Sequence, residues 1–192
     1  MAAITAKMVY DLRAKTGCGM MECKKALVEA DGDMDKAVDV LRTRGLAAAA
    51  KKVGRATNEG TVMAIVNDAC TTGAVVELNC ETDFVGMNEK FKAYAEKIAK
   101  AALAAKPADV DALKAAVIDG ETVEEIVTDC IHVMGENTQL ARVAVVDAQA
   151  VSAYIHGGGK IGVLVNLAVE GVDASESGKN VAMQIAALNP RF

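Results

Sequence analysis

The side chains best suited to nucleophilic or metal chemistry here are His132 and His156 and the cysteines Cys18, Cys23, Cys70, Cys80 and Cys130. Their spacing does not assemble such a centre. Cys18 and Cys23 are separated by four residues, where a zinc pair commonly has two, and no downstream partners follow them. Cys130 and His132 are two positions apart, so on a helix they face different ways. A thiol catalyst that joins one cysteine to His132 or His156 is the enzymatic alternative. Otherwise the thiols read as small apolar packing groups in a reducing cytosol, since their number is odd and no secretory signal precedes them. Phosphate binding fares no better. Gly157-Gly158-Gly159-Lys160 resembles half of a phosphate loop, but Tyr154 stands where its first glycine belongs and Ile161 replaces the Ser or Thr after the lysine. The glycines fit a hairpin turn instead. The expectation is no catalytic residue, no metal, no cofactor and no direct nucleotide binding.

Two stretches carry chemistry of another kind, that of contact. Met20 and Met21 are adjacent, so a single helical face cannot bury both. At least one is expected outside, near Arg13 and the break Gly17-Cys18-Gly19, as a polarisable group for a partner. The alternative is a loosely packed core methionine. The second stretch is Asn79-Cys80-Glu81-Thr82-Asp83-Phe84-Val85, placed between a strand and a helix. With only three Phe in the chain, an apolar wedge beside a carboxylate at a loop tip needs a reason. The alternative has Phe84 fold back as a helix staple while Asp83 caps a turn. His156, in its glycine turn, reads either as a further contact residue or as an ordinary surface histidine.

The elements that would position these residues follow from pattern. Apolar residues make up 52% of the chain and aromatic ones 3%, which predicts a real core built from Ala, Val, Leu, Ile and Met. Net charge is −5, and no basic stripe is visible. Lys51, Lys52 and Arg55 read as the solvated end of a helix, so no nucleic-acid partner is expected. No stretch approaches the roughly 18 apolar residues of a membrane span, which with the thiols predicts a cytoplasmic protein. Three short helices are expected in residues 1–45: one capped by Thr5 with Ile4, Met8 and Leu12 on one face, one over residues 20–30, and one capped by Asp33 and ended by Gly45. Residues 46–53 read as a further helix, part of a linker over 46–56. Strands are expected over 60–66, 73–80, 140–146, 151–156 and 161–169. Helices are expected over 88–105, 110–117, 123–134 and 177–188. A weak echo between 73–79 and 162–168, each a strand leading to a turn and helix, predicts two related units on an antiparallel sheet. The fold class is therefore α+β, with core subdomains at 57–146 and 147–192.

Thr16-Gly17-Cys18-Gly19-Met20-Met21-Glu22-Cys23-Lys24-Lys25-Ala26-Leu27 closely resembles the N-terminal signature of the elongation factor Ts family, with Cys18 where Ala is more usual. Glu81-Thr82-Asp83-Phe84-Val85 resembles that family's second signature. Lys51-Lys52 with Gly54, Gly135-Glu136-Asn137, and His156-Gly157 with Gly162-Val163-Leu164-Val165 stand in the family's order, so the resemblance spans the chain. It implies a guanine-nucleotide exchange factor for the GTPase elongation factor Tu, acting by binding and not as an enzyme. The module at 1–45 would resemble a ubiquitin-associated domain and dock on the partner's G domain through Arg13, Met20 and Met21. Thr82, Asp83, Phe84 and Val85 would approach the partner's magnesium and phosphate site, and His156 matches a contact residue on the far side of the core. Most members continue past the position of Phe192, which predicts a fragment or short form with an incomplete second subdomain. The competing expectation is a helical protein-binding module carried by a scaffold domain, without exchange activity. The sequence leaves the oligomeric state open.

Overall fold

The computed structural model describes residues 3–190. Met1 and Ala2, on which the N-terminal reading partly rests, and Phe192 lie outside these residues. The chain forms two compact units. The first runs to Arg55 and takes in Thr128–Asn137; the second holds Ala56–Val127 and the chain from Thr138 onward.

The first unit opens with α1 (Ala6–Thr16), α2 (Met20–Glu29) and α3 (Met34–Ala50). Thr5 caps α1 by accepting the Met8 N–H, and Gly17 ends it at φ 71°, donating its N–H to the Arg13 carbonyl. Asp33 caps α3 by accepting the N–H groups of Asp35 and Lys36. These caps satisfy donors that a helix start leaves open, which explains why each boundary falls where the polar residue stands. Leu12, Cys23, Ala26, Leu27, Ala37 and Leu41 are buried together, with Val133 packed against them. One expectation fails: α3 passes through Gly45 and ends at Ala50, so residues 46–50 prolong it and open no helix of their own. The reason is packing. A Cβ on Gly45 would lie 3.4 Å from His132 Cβ, so this glycine makes room for a neighbouring side chain and does not stop the helix.

The second unit begins with β1 (Glu59–Val66) and β2 (Thr72–Cys80), continues through α4 (Asp83–Gly86), α5 (Glu89–Ala105) and α6 (Val110–Ala115), then β3 (Val117–Ile118) and β4 (Glu121–Thr122). Helix α7 (Val123–Met134) follows; its residues from Thr128 belong to the first unit. Strands β5 (Thr138–Asp147), β6 (Ala150–His156) and β7 (Ile161–Leu167) and helix α8 (Ser175–Leu188) complete the described chain. The β3–β4 hairpin, unforeseen from pattern, turns on Asp119 and Gly120, both at positive φ, as a two-residue Asp-Gly turn requires.

Antiparallel strands order as β1-β2-β5, and β6 pairs antiparallel with β7. The mixed α+β class expected from the sequence is the one observed. Along β2, Ala74, Val76, Leu78 and Cys80 are buried alternately. The opposite face meets the β6–β7 hairpin: a Cβ on Gly73 would touch Val151 and Leu164, and one on Gly162 would touch Val62 and Val75. Period-two alternation therefore gives the sheet one face for α5, which packs on β1 and β2, and another for the hairpin. Helix α8 packs on the hairpin in turn. Phe91 of α5, fully buried, is the largest side chain in this core. Among the described residues no helix is long and apolar enough to cross a membrane.

Candidate functional site

The tip of the second unit is built where β2 ends. Cys80, buried, donates its thiol to the Thr82 carbonyl at 3.1 Å. Thr82 is extended (φ −125°, ψ 154°) and its hydroxyl accepts the Val85 N–H. One short helical turn results, closed by Gly86 N–H to Thr82 carbonyl and Met87 N–H to Asp83 carbonyl. Asp83 and Phe84 occupy the exposed side of that turn, whereas Thr82 and Val85 are half-buried. Phe84 is 81% exposed, beside Met87 at 54%. The staple alternative, in which Phe84 folds inward, is therefore not what the structure contains. Exposure of an aromatic ring leaves about 2 kcal/mol of burial unused in the free protein, a quantity available to a partner.

Two glycines allow this turn to sit where it does. A Cβ on Gly86 would come within 2.9 Å of the Gly60 carbonyl oxygen, and Gly60 itself, at φ 154°, has the Leu78 carbonyl 2.4 Å from its own missing Cβ. Helix α4 thus rests directly on the backbone of β1.

Arg13, Met20 and Met21 lie in the first unit, and all three are exposed, Met20 at 42% and Met21 at 63%. Helix α2 buries Cys23, Ala26 and Leu27; Met21 lies on the opposite face and Met20 at the edge of the buried one, which agrees with their exposures. Sequence reasoning stopped at Met21, but the stripe continues: Met21, Lys24, Lys25 and Val28 line one shallow groove with Glu29 and Arg44. Val28 is 53% exposed. The signal was present, since positions 21, 25 and 28 share a helical face. Met87 was also missed, although it follows Phe84 by one turn.

His156 closes the β6–β7 hairpin opposite Ile161 and is exposed. Its Nδ1 lies 3.1 Å from the Tyr154 hydroxyl, which fixes the ring's orientation. Gly157, Gly158 and Gly159 all have positive φ, consistent with the turn reading.

The thiols differ in their surroundings. Burial raises the Cys18 thiol above its ordinary range, with nearby Asp129 adding to the effect against a hydrogen bond from Thr16; the thiolate is disfavoured. Cys23 and Cys130 are buried, and Cys70 alone of the five is exposed, on a turn at φ 53°. That exposed position departs from the packing role expected of every cysteine. His132 is enclosed, with Nε2 unbonded and 3.7 Å from Glu22. Among the described residues no group of three His, Cys, Asp or Glu side chains is placed to hold a metal.

The described residues thus set out two exposed features on an α+β fold, a benzyl–carboxylate tip and a methionine-bearing helix. The family model described as Elongation factor TS matches residues 81–192. Proteins named Elongation factor Ts from Clostridium botulinum (strain ATCC 19397 / Type A) are 50% identical over 196 aligned residues, covering 98% of this chain and 64% of the relative. One from Clostridium perfringens (strain SM101 / Type A) is 49% identical over 194, with 98% and 64% covered. The chain belongs to the elongation factor Ts family, and it spans less than two thirds of the length of these relatives.

Proposed function

We propose that this chain is a translation elongation factor that binds elongation factor Tu in its GDP-bound state and promotes GDP release. The observation that carries the reading is Phe84, 81% exposed on a turn locked by Thr82 and seated on Gly60, within the family signature that named it. Phe84 enters between partner helices, while Asp83 approaches the partner's magnesium site and disturbs its ligands. Arg13, Met20 and Met21 dock the first unit on the G domain, and His156 supplies a further contact on the core. The domain scheme is part of the same proposal: a docking module at 1–45, a linker at 46–56, and core subdomains at 57–146 and 147–192.

The physics is linkage. If the factor binds nucleotide-free partner more tightly than GDP-bound partner, GDP affinity falls by the same factor. A magnesium ion is the largest local charge on bound phosphates, so moving its ligands costs GDP far more than the single ring contributes by burial. No group on this chain needs to make or break a bond, and no cofactor is invoked. The expected site of action is the cytoplasm, away from any membrane or nucleic-acid surface. The test is stopped-flow release of labelled GDP from elongation factor Tu with this chain. Wild type is expected to accelerate release, and Phe84→Ala to slow it by about tenfold or more while the complex still forms. A chain that binds without accelerating release would favour the rival reading, a binding module with a scaffold.

A further inference from the structure

The glycine turn of the β6–β7 hairpin and the Phe84 tip share one support. That support is the first part of β1. Glu59 pairs in register with Cys80, the last residue of β2 before the tip. Gly60 carries Gly86. Thr61 lies against Gly159, where a Cβ would sit 2.1 Å from the Thr61 hydroxyl, and the Val62 N–H donates to the Gly159 carbonyl at 2.7 Å. From this turn Lys160 extends its ammonium to the Glu59 carboxylate, forming an ion pair.

We infer that Lys160 is a positioning residue for the tip: by tying the glycine turn to Glu59 at the root of α4, it holds Asp83 and Phe84 in one fixed presentation. The inference rests on the exchange-factor reading for its consequence but not for its geometry. An ion pair this exposed, 49% and 40% at its two side chains, contributes little to global stability, so its value lies in local order. The ammonium is held above its usual range, first by the hydrogen bond to Glu59 and further by the charges of Glu59 and Asp83. Lys160 is thus a cation paired with the Glu59 carboxylate beside the root of α4.

The experiment compares Lys160→Met, Lys160→Arg and a control, Lys100→Met, whose pair with Glu96 lies on α5. Three quantities are read on the full chain: amide hydrogen exchange at Val85, Gly86 and Met87, the thermal midpoint, and GDP release from elongation factor Tu. Lys160→Met is expected to speed exchange at the three amides, and to slow GDP release, by about five- to tenfold. The midpoint should stay put, Lys160→Arg should restore wild-type behaviour, and Lys100→Met should change nothing. Unchanged tip amides in Lys160→Met, or no rescue by arginine, would overturn the inference. A wild-type chain that leaves GDP release unaltered would instead sink the exchange-factor reading, while the tip amides would still decide the role of Lys160.

Discussion

The two phenylalanines among the described residues have opposite fates. Phe91, on α5, is fully buried and Phe84 is 81% exposed, although each directly follows a charged residue. A ring kept in water through folding is a cost that a partner can reverse, and the same argument applies to Met21. Since Met21 touches solvent on the outer face of α2, Met21→Lys should leave folding stability within about 0.5 kcal/mol of wild type. Association with elongation factor Tu should weaken by about 1–2 kcal/mol. Paired denaturation and titration calorimetry would check this; unaltered affinity would remove Met21 from the docking surface.

At the scale of elements, the tip depends on backbone meeting backbone. Helix α4 is held by the Thr82 cap and by packing on β1, β2 and α5, for four residues are too few to be stable by propensity. In Gly86→Ala the new Cβ faces the Gly60 carbonyl at 2.9 Å, and neither side is a flexible group that can swing away. The expected cost is about 1–3 kcal/mol, with faster amide exchange at Val85 and Met87 and slower GDP release. Urea unfolding together with hydrogen exchange would measure both. Wild-type stability in this variant would mean that α4 is not seated as described.

Across the second unit, charge ties distant segments. Asp147 at the end of β5 accepts from Lys106 Nζ at 2.7 Å, beyond α5, and from the Thr72 hydroxyl at 2.6 Å, at the start of β2. These bonds, Lys106 first and Thr72 next, hold its carboxyl below the usual carboxylate range. The unfolded chain binds the proton more readily, so the contribution is present above about pH 4, the unfolded carboxylate value, and disappears as pH falls through the lower folded value. Asp147→Asn should therefore lower the thermal midpoint at neutral pH, and the gap to wild type should narrow as the solution is acidified. Melting curves across pH 2–7 would show this; a gap that stays constant would place the Asp147 contribution elsewhere.

Much of this was legible in the chain because caps and periods are local. Thr5, Asp33 and Asn88 mark helix starts that the structure confirms, for each supplies an oxygen to donors two or three residues on. The strands expected over residues 60–66 and 73–80 are present, and the one expected over 161–169 stops at Leu167. The adjacency of Met20 and Met21 was enough to force one outward. What sequence could not decide was how glycine is used. Gly17 stops a helix and Gly45 does not, and only the approach of His132 separates the two cases. Nor could it tell which Phe stays in water, or that Lys160 reaches back 101 positions to Glu59. Local propensity is written in neighbours along the chain. Exposure and long-range pairing depend on which distant surface arrives to cover a residue, and that is settled only when the sheet, hairpin and helices pack together.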